Sequence, residues 1–257
     1  MCHLPFFIVP RESAARPMKQ LPNQAKGETE MVARLRRLGI VLAVMGLVFA
    51  AGSAYAFVKT QEGYRSLDAF SAAQNVKLSY NEQGQLVDRG ETEGAQAIMS
   101  LLVSDWGFPV VASELNPNDP VVNTQTEYMY QMATVAYHTL HSTQTIVLDE
   151  DVEYNGELFK AGEYEFAVDG RYWADFDRSH PLEGPARAQA WTPVAHALIG
   201  ELGVGTVTAS ALQMGIGLAG LFAGVGFTFI LAGLGLVWAT RPEAEKVPVL
   251  RPAGVPA

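Results

Sequence analysis

The sequence predicts a membrane protein: two transmembrane α-helices flanking an α+β extracytoplasmic domain. Three observations predict this. The stretch Ala211–Trp238 carries no charge, and no ionisable residue occurs between Glu201 and Arg241, whereas about twenty apolar residues already cross a bilayer. A second apolar run covers Leu38–Val58. Between them, residues 59–203 hold eight Lys/Arg against twenty-two Asp/Glu, a net charge of −14. That intervening length suffices for one domain with its own core.

In chain order, residues 1–30 are interrupted by Pro5, Pro10, Pro17 and Pro22 and read as a disordered N-terminal arm or an unused upstream start. Met31 opens MVARLRRLGI and is the expected beginning. Arg34, Arg36 and Arg37 precede the first apolar run and should hold that end in the cytoplasm. The first transmembrane helix with its basic flank is assigned to 31–58. Ala54-Tyr55-Ala56 also fits a signal-peptide cleavage site, but the uncharged run extends to Val58, a length suited to a retained helix. Either way the domain at 59–203 lies outside. The only cysteine, Cys2, is not in it, so no disulfide framework holds it.

Within the domain, Leu67, Phe70 and Ala73 predict a helix over Tyr64–Asn75. Val76–Tyr80 and Leu86–Val87 flank a hairpin turn. Ala95–Trp106 and Glu127–Leu140 are amphipathic helices, separated by a loop rich in proline and asparagine. Thr145–Leu148, Val152–Tyr154, Leu158–Lys160 and Tyr164–Val168 read as a short antiparallel meander, with Asn155-Gly156 as a hairpin signal. The segment after His180, PLEGPARAQAWTP, is expected to be irregular. Thr192 and Pro193 start a helix to about Leu202. Gly203 and Gly205 loosen the chain ahead of the second transmembrane helix, 204–240. Arg241, Lys246 and Arg251 place the tail, 241–257, in the cytoplasm.

This layout resembles a family of uncharacterised actinobacterial envelope proteins with two transmembrane helices around an outside domain. The residues that carry it are RLGIVLAVMGLVFAAGSAYAF, YNEQGQLVDRG at 80–90, DPVVNTQTEYMYQMATVAYHTLH at 119–141 and GELGVGTVTASALQMGIGLAGL at 200–221. It covers roughly residues 31–240 and is one of layout. Members of similar families are often labelled aromatic ring-opening dioxygenase. The resemblance implies no residues for that chemistry, which needs a non-haem iron cluster such as two His and a carboxylate.

Several motifs need weighing. Gly215-Ile-Gly217-Leu-Ala-Gly220 matches the dinucleotide pattern, but it lies within an apolar run without a preceding strand or a following acid at the required spacing. His138 and His141 share a helix face and with Glu127 or His180 form a weak zinc or copper candidate. Ordinary hydrogen-bonded histidines are the better explanation. Asp149, Asp151, Glu153, Asn155 and Gly156 suggest a calcium loop, yet position twelve is Gly162 where Glu is needed. Asp105, Asp175 and Asp177 offer paired carboxylates for glycoside chemistry. Tyr128, Tyr130, Tyr137, Tyr164, Tyr172 and Trp173 form an aromatic middle, best read as core. No nucleophile elbow occurs.

Small residues suggest that the two membrane helices pack on each other: Gly39, Ala43, Gly46 and Ala50 on one, Gly217, Gly220 and Gly224 on the other, with Gln213 and Thr228 extending the stripe. The acidic domain is repelled by nucleic acid, and two helices without internal charges offer no transport pathway. The sequence therefore predicts a non-catalytic accessory or scaffold protein of the cell membrane. It needs no cofactor and presents its domain to an envelope protein partner. A membrane-tethered metal-binding protein or metal-dependent enzyme using His138 and His141 is the alternative.

Overall fold

The protein is described here by a computed structural model covering residues 22–241; the expectations for the first twenty-one residues and the tail after Arg241 lie outside it. The element order is α1 (Pro22–Gln74), α2 (Thr92–Ser100) continuing as a π-helical turn (Leu101–Asp105), a 3-10 turn (Ala112–Glu114), α3 (Gln125–Leu140), β1 (Thr143–Leu148), β2 (Val152–Tyr154), β3 (Glu157–Phe159), β4 (Gly162–Ala167), α4 (Glu183–Ala190) and α5 (Pro193–Ala239). Two helices, α1 and α5, are long and apolar enough to cross a membrane.

These helices differ from the sequence expectation in extent. The expected helix over Tyr64–Asn75 is the C-terminal part of α1, which begins at Pro22 within the supposed arm. Proline at a first helical position gives up only an N–H that has no intrahelical partner. The expected break at Gly203 and Gly205 is absent, and α5 is continuous. Isolated glycines weaken a helix by only about 1 kcal/mol each, and here Gly205 serves packing.

The chain divides into two units, 22–52 with 222–241, and Ser53–Leu221. In the first, the helix segments run antiparallel at very close approach. A Cβ built on Gly46 would stand 2.7 Å from the Gly226 carbonyl oxygen, and one on Gly39 2.7 Å from that of Gly233. Gly233 faces Ala43, and Gly226 faces the Ala50 backbone. Phe49 packs against Phe222 and Phe229 with ring centroids 5.8 and 6.0 Å away. The seam on α5 is thus formed by Gly226 and Gly233, two turns apart.

Gly217, Gly220 and Gly224, expected at this seam, have nothing within 4 Å of an added Cβ. They sit on another face: positions 217, 220 and 224 share one stripe, but 226 and 233 are displaced from it by the 3.6-residue period. The expected hydrogen bonds across the seam also differ. Thr228 donates to the Gly224 carbonyl of its own helix, and Gln213 donates to Glu114.

In the second unit, Ser53 Oγ donates to the Ala219 carbonyl over 2.7 Å, and Thr60 lies against Gly215. Leu67, Leu78, Ile98, Leu102, Tyr128 and Ala209 centre one apolar core, drawn from α1, α2, α3 and α5. Leu140, Ile146, Val168, Phe176, Ala186 and Trp191 centre another, between α3, the strands and α4. Helix α3 serves both, which explains its wide apolar surface. Its start is fixed by a capping box: Thr124 accepts from the Glu127 N–H while Glu127 accepts from the Thr124 N–H.

The strands form a nested hairpin instead of the expected meander. β1 pairs with β4 from Thr143↔Ala167 to Leu148↔Gly162, and β2 with β3 from Val152↔Phe159 to Tyr154↔Glu157. Asn155 and Gly156, at φ 50° and 82°, make the tight turn whose two left-handed positions match strand twist. The two ladders are one residue out of step, and Asp151 bridges the break. Its carboxylate accepts from Lys160 Nζ and the Ala161 N–H, both at 2.8 Å. The segment expected to be irregular contains α4, with Pro185 in its first turn, where a missing N–H is tolerated. His180 Nδ1 accepts from the Leu182 and Glu183 N–H groups at that helix start.

Candidate functional site

The second unit holds an apolar cavity of about 430 Å³ bounded by α1, α3 and α5, within the size range of ligand and peptide sites. Its base is Tyr128. This ring is buried, abuts Gly205 and hydrogen-bonds Ser71 Oγ through its hydroxyl at 2.8 Å. A larger residue than glycine at 205 would collide with the ring, so the close approach of α3 and α5 requires it. The walls are Leu67, Phe70, Val76, Leu198 and Val204, and polar groups occur at Gln74, Gln131 and Glu201. Phe70 is 48% exposed and Val204 67%. Phe70 and Val204 thus leave an exposed apolar surface beside the cavity.

Helix α5 is oriented beside this cavity by a polar tie. Gln213 Nε2 donates to Glu114 Oε1 at 2.8 Å, while Glu114 Oε2 accepts the N–H of the fully buried Thr126 at 2.9 Å. One carboxylate therefore links the 3-10 turn, α3 and α5. The sequence contained a clue to the cavity that hydropathy alone misreads. The uncharged part of α5, from Leu202 to Ala239, is about twice the length a bilayer needs; its first part faces Tyr128 in this unit.

The histidines of the sequence reading meet in a different cleft, of about 440 Å³, beside Asp88, Arg89 and Glu91. His138 Nε2 donates to Asp88 at 2.9 Å. His141 Nδ1 donates to the Tyr137 carbonyl at 2.9 Å, and its ring lies tilted against the Tyr137 ring at 4.1 Å between centroids. Neither suggested third ligand joins them. Glu127 is occupied in the α3 cap, and His180 packs between Tyr154 and Phe159. Among the described residues no group of three or more His, Cys, Asp or Glu is placed to hold a metal ion. Changing both His138 and His141 to Ala should therefore leave the metal content of the purified full-length protein unchanged. Stoichiometric zinc or copper in the unmodified chain, lost in the double variant, would contradict this.

Of the carboxylates suggested for glycoside chemistry, Asp175 and Asp177 are committed locally. Asp177 binds the Tyr154 hydroxyl and the Ser179 N–H, and Asp175 accepts from the Tyr172 N–H. Asp105 ends the π-helical turn. In the suggested calcium loop, Asp151 is engaged by Lys160, which holds its carboxyl below the usual range. The glycines at 215, 217 and 220 lie inside α5, with no strand before them. The aromatic residues are divided between the two cores, and Tyr172 and Trp173 lie at the surface.

Glu127 is the buried acid of the unit, and desolvation raises its carboxyl above the ordinary value despite hydrogen bonds from Asn123 and Thr124. A carboxyl raised on folding contributes stability that is full below its unfolded value, about 4.5, and is lost as pH rises through the folded value. Glu127→Gln keeps a cap acceptor but cannot ionise. Thermal melts from about pH 4.5 to 7 should show a smaller loss of stability with rising pH in this variant than in the parent. An equal or steeper loss would show that Glu127 is not the group responsible.

Comparison of the chain with family models, curated protein sequences and solved structures returned no match.

Proposed function

We propose that this is a two-span membrane protein with both termini in the cytoplasm, acting as a non-catalytic accessory or scaffold in the cell envelope. Its acidic extracytoplasmic domain offers the cavity beside Tyr128 to a segment of a partner envelope protein. The uncharged part of α1, residues 38–58, would extend about 31 Å at 1.5 Å per residue, close to a hydrocarbon core of ~30 Å. Tyr55 and Trp238, both strongly exposed, stand near opposite ends of the apolar runs, where aromatic anchors belong.

The observation that carries the functional reading is the exposed apolar cavity in an otherwise acidic unit. Its helical walls suit an amphipathic helix laid apolar face inward. The net charge of −14 over residues 59–203 favours a partner helix with basic flanks, because opposite charge accelerates and orients association. The test is mild-detergent co-purification from native membranes, comparing the parent with Phe70→Glu/Val204→Glu. A partner recovered with the parent should be lost from this variant and kept by Val147→Glu, which alters an exposed strand position away from the cavity. The same partner recovered equally with all three proteins would overturn the assignment of the cavity.

A further inference from the structure

The first unit carries a cleft of about 550 Å³ at one end of its helix pair, lined by Arg36 and Arg37 from α1 and Arg241 following α5. Val32, Ala33 and Ile40 give it apolar walls. The fourth nearby arginine, Arg34, is ion-paired with Glu30 at 3.7 Å and does not line the cleft. Among the described residues, Arg36, Arg37 and Arg241 have no carboxylate partner. Three arginines from two chain segments thus line one cleft without an ion-paired acid among the described residues.

We propose that this cleft binds the headgroup phosphate of an anionic phospholipid. The inference rests on the membrane placement proposed above but is independent of the partner cavity. Guanidinium groups pair with phosphate through two parallel hydrogen bonds. Basic clefts between membrane helices at the headgroup level select anionic lipids. The apolar walls suit the glycerol and first methylenes of a lipid, which free phosphate lacks. A bound lipid would touch both helices and so stabilise their pairing by mass action.

The full-length protein in mild detergent, offered phosphatidylglycerol or phosphatidylcholine, tests this by native mass spectrometry. One phosphatidylglycerol per chain should be retained in preference to phosphatidylcholine. Arg36→Gln, Arg37→Gln and Arg241→Gln should each weaken retention roughly fivefold, whereas Arg34→Gln should not. The crosslink between the helices described below identifies any variant that has lost its pairing. Equal retention of the two lipids would overturn the proposal. So would an Arg34→Gln effect as large as the others, which would reveal a net-charge effect without a site. Competition by inorganic phosphate as effective as that by phosphatidylglycerol would assign the cleft to a soluble phosphate ligand and contradict the lipid source. A protein recovered as a monodisperse species without detergent would instead refute the membrane placement itself.

Discussion

Gly233→Leu should separate the α1–α5 pair of the first unit. A Cβ at 233 would stand 2.4 Å from the Gly39 carbonyl oxygen and 2.6 Å from the Ala43 nitrogen. Both are backbone atoms, so no side-chain rotation relieves the clash and the helices must move apart. Overpacking commonly costs ~1–3 kcal/mol, and a full leucine against backbone belongs at or above the upper end. In a bilayer the loss is not recovered by burying apolar surface elsewhere, because lipid tails are as apolar as leucine and association depends on close packing. Gly220→Leu and Gly224→Leu, which meet open space, should change pairing by less than about 0.5 kcal/mol. The readout is an intramolecular crosslink, made with a short bifunctional thiol reagent, between cysteines replacing Phe49 and Phe222, whose rings are 5.8 Å apart, in a Cys2→Ser background. It should form readily in the parent and fail in Gly233→Leu. Undiminished crosslinking in Gly233→Leu would refute the glycine seam, and a crosslink found only between chains would make it a dimer contact.

Tyr128→Ala should destabilise the second unit by ~3–5 kcal/mol, the usual loss for a large buried aromatic side chain. Its ring fills the space against Gly205 between α3 and α5, and its hydroxyl is the partner of Ser71, itself buried. Tyr128→Phe keeps the ring and gives up that bond, so a loss of ~1 kcal/mol is expected. Thermal denaturation of the full-length protein, followed by proteolysis within residues 53–221, distinguishes the two. Equal losses for the two variants would show that the hydroxyl, and not the ring, holds this contact.

The two long apolar helices, the body of α3 and the Asn155-Gly156 turn were legible in the sequence, because each rests on a local signal: hydropathy, helical period or turn chemistry. What was not legible depends on tertiary partners. The continuity of α1 and α5 is invisible to hydropathy, since the polar stretch from Lys59 to Gln74 in α1 looks like a new element once the apolar run ends. Helix α4 is short, polar and contains Gly184 and Pro185; it is held by the packing of Ala186 and Ala190 into a core. The face used by the α5 glycines could not be chosen because Gly217, Gly220, Gly224, Gly226 and Gly233 fall on more than one stripe. Only the partner helix selects among them. Gln213 looked like a membrane hydrogen-bonding group, but its acceptor, Glu114, lies far away in sequence. The histidine pair was visible, whereas the apolar cavity was hidden by its use of the same residue types as a membrane span.

The central claim, that two membrane helices hold an acidic domain outside the cell membrane, is tested most directly by cysteine accessibility in intact cells. Single cysteines at Ser113, Asp169 and Ala253, each in a Cys2→Ser background, are treated with a membrane-impermeant thiol reagent. In the proposed topology the basic residues Arg34, Arg36, Arg37 and Arg241 put their ends of the helices in the cytoplasm. The account therefore predicts labelling at positions 113 and 169 in intact cells, and at 253 only after lysis. Labelling at 253 alone in intact cells would contradict it.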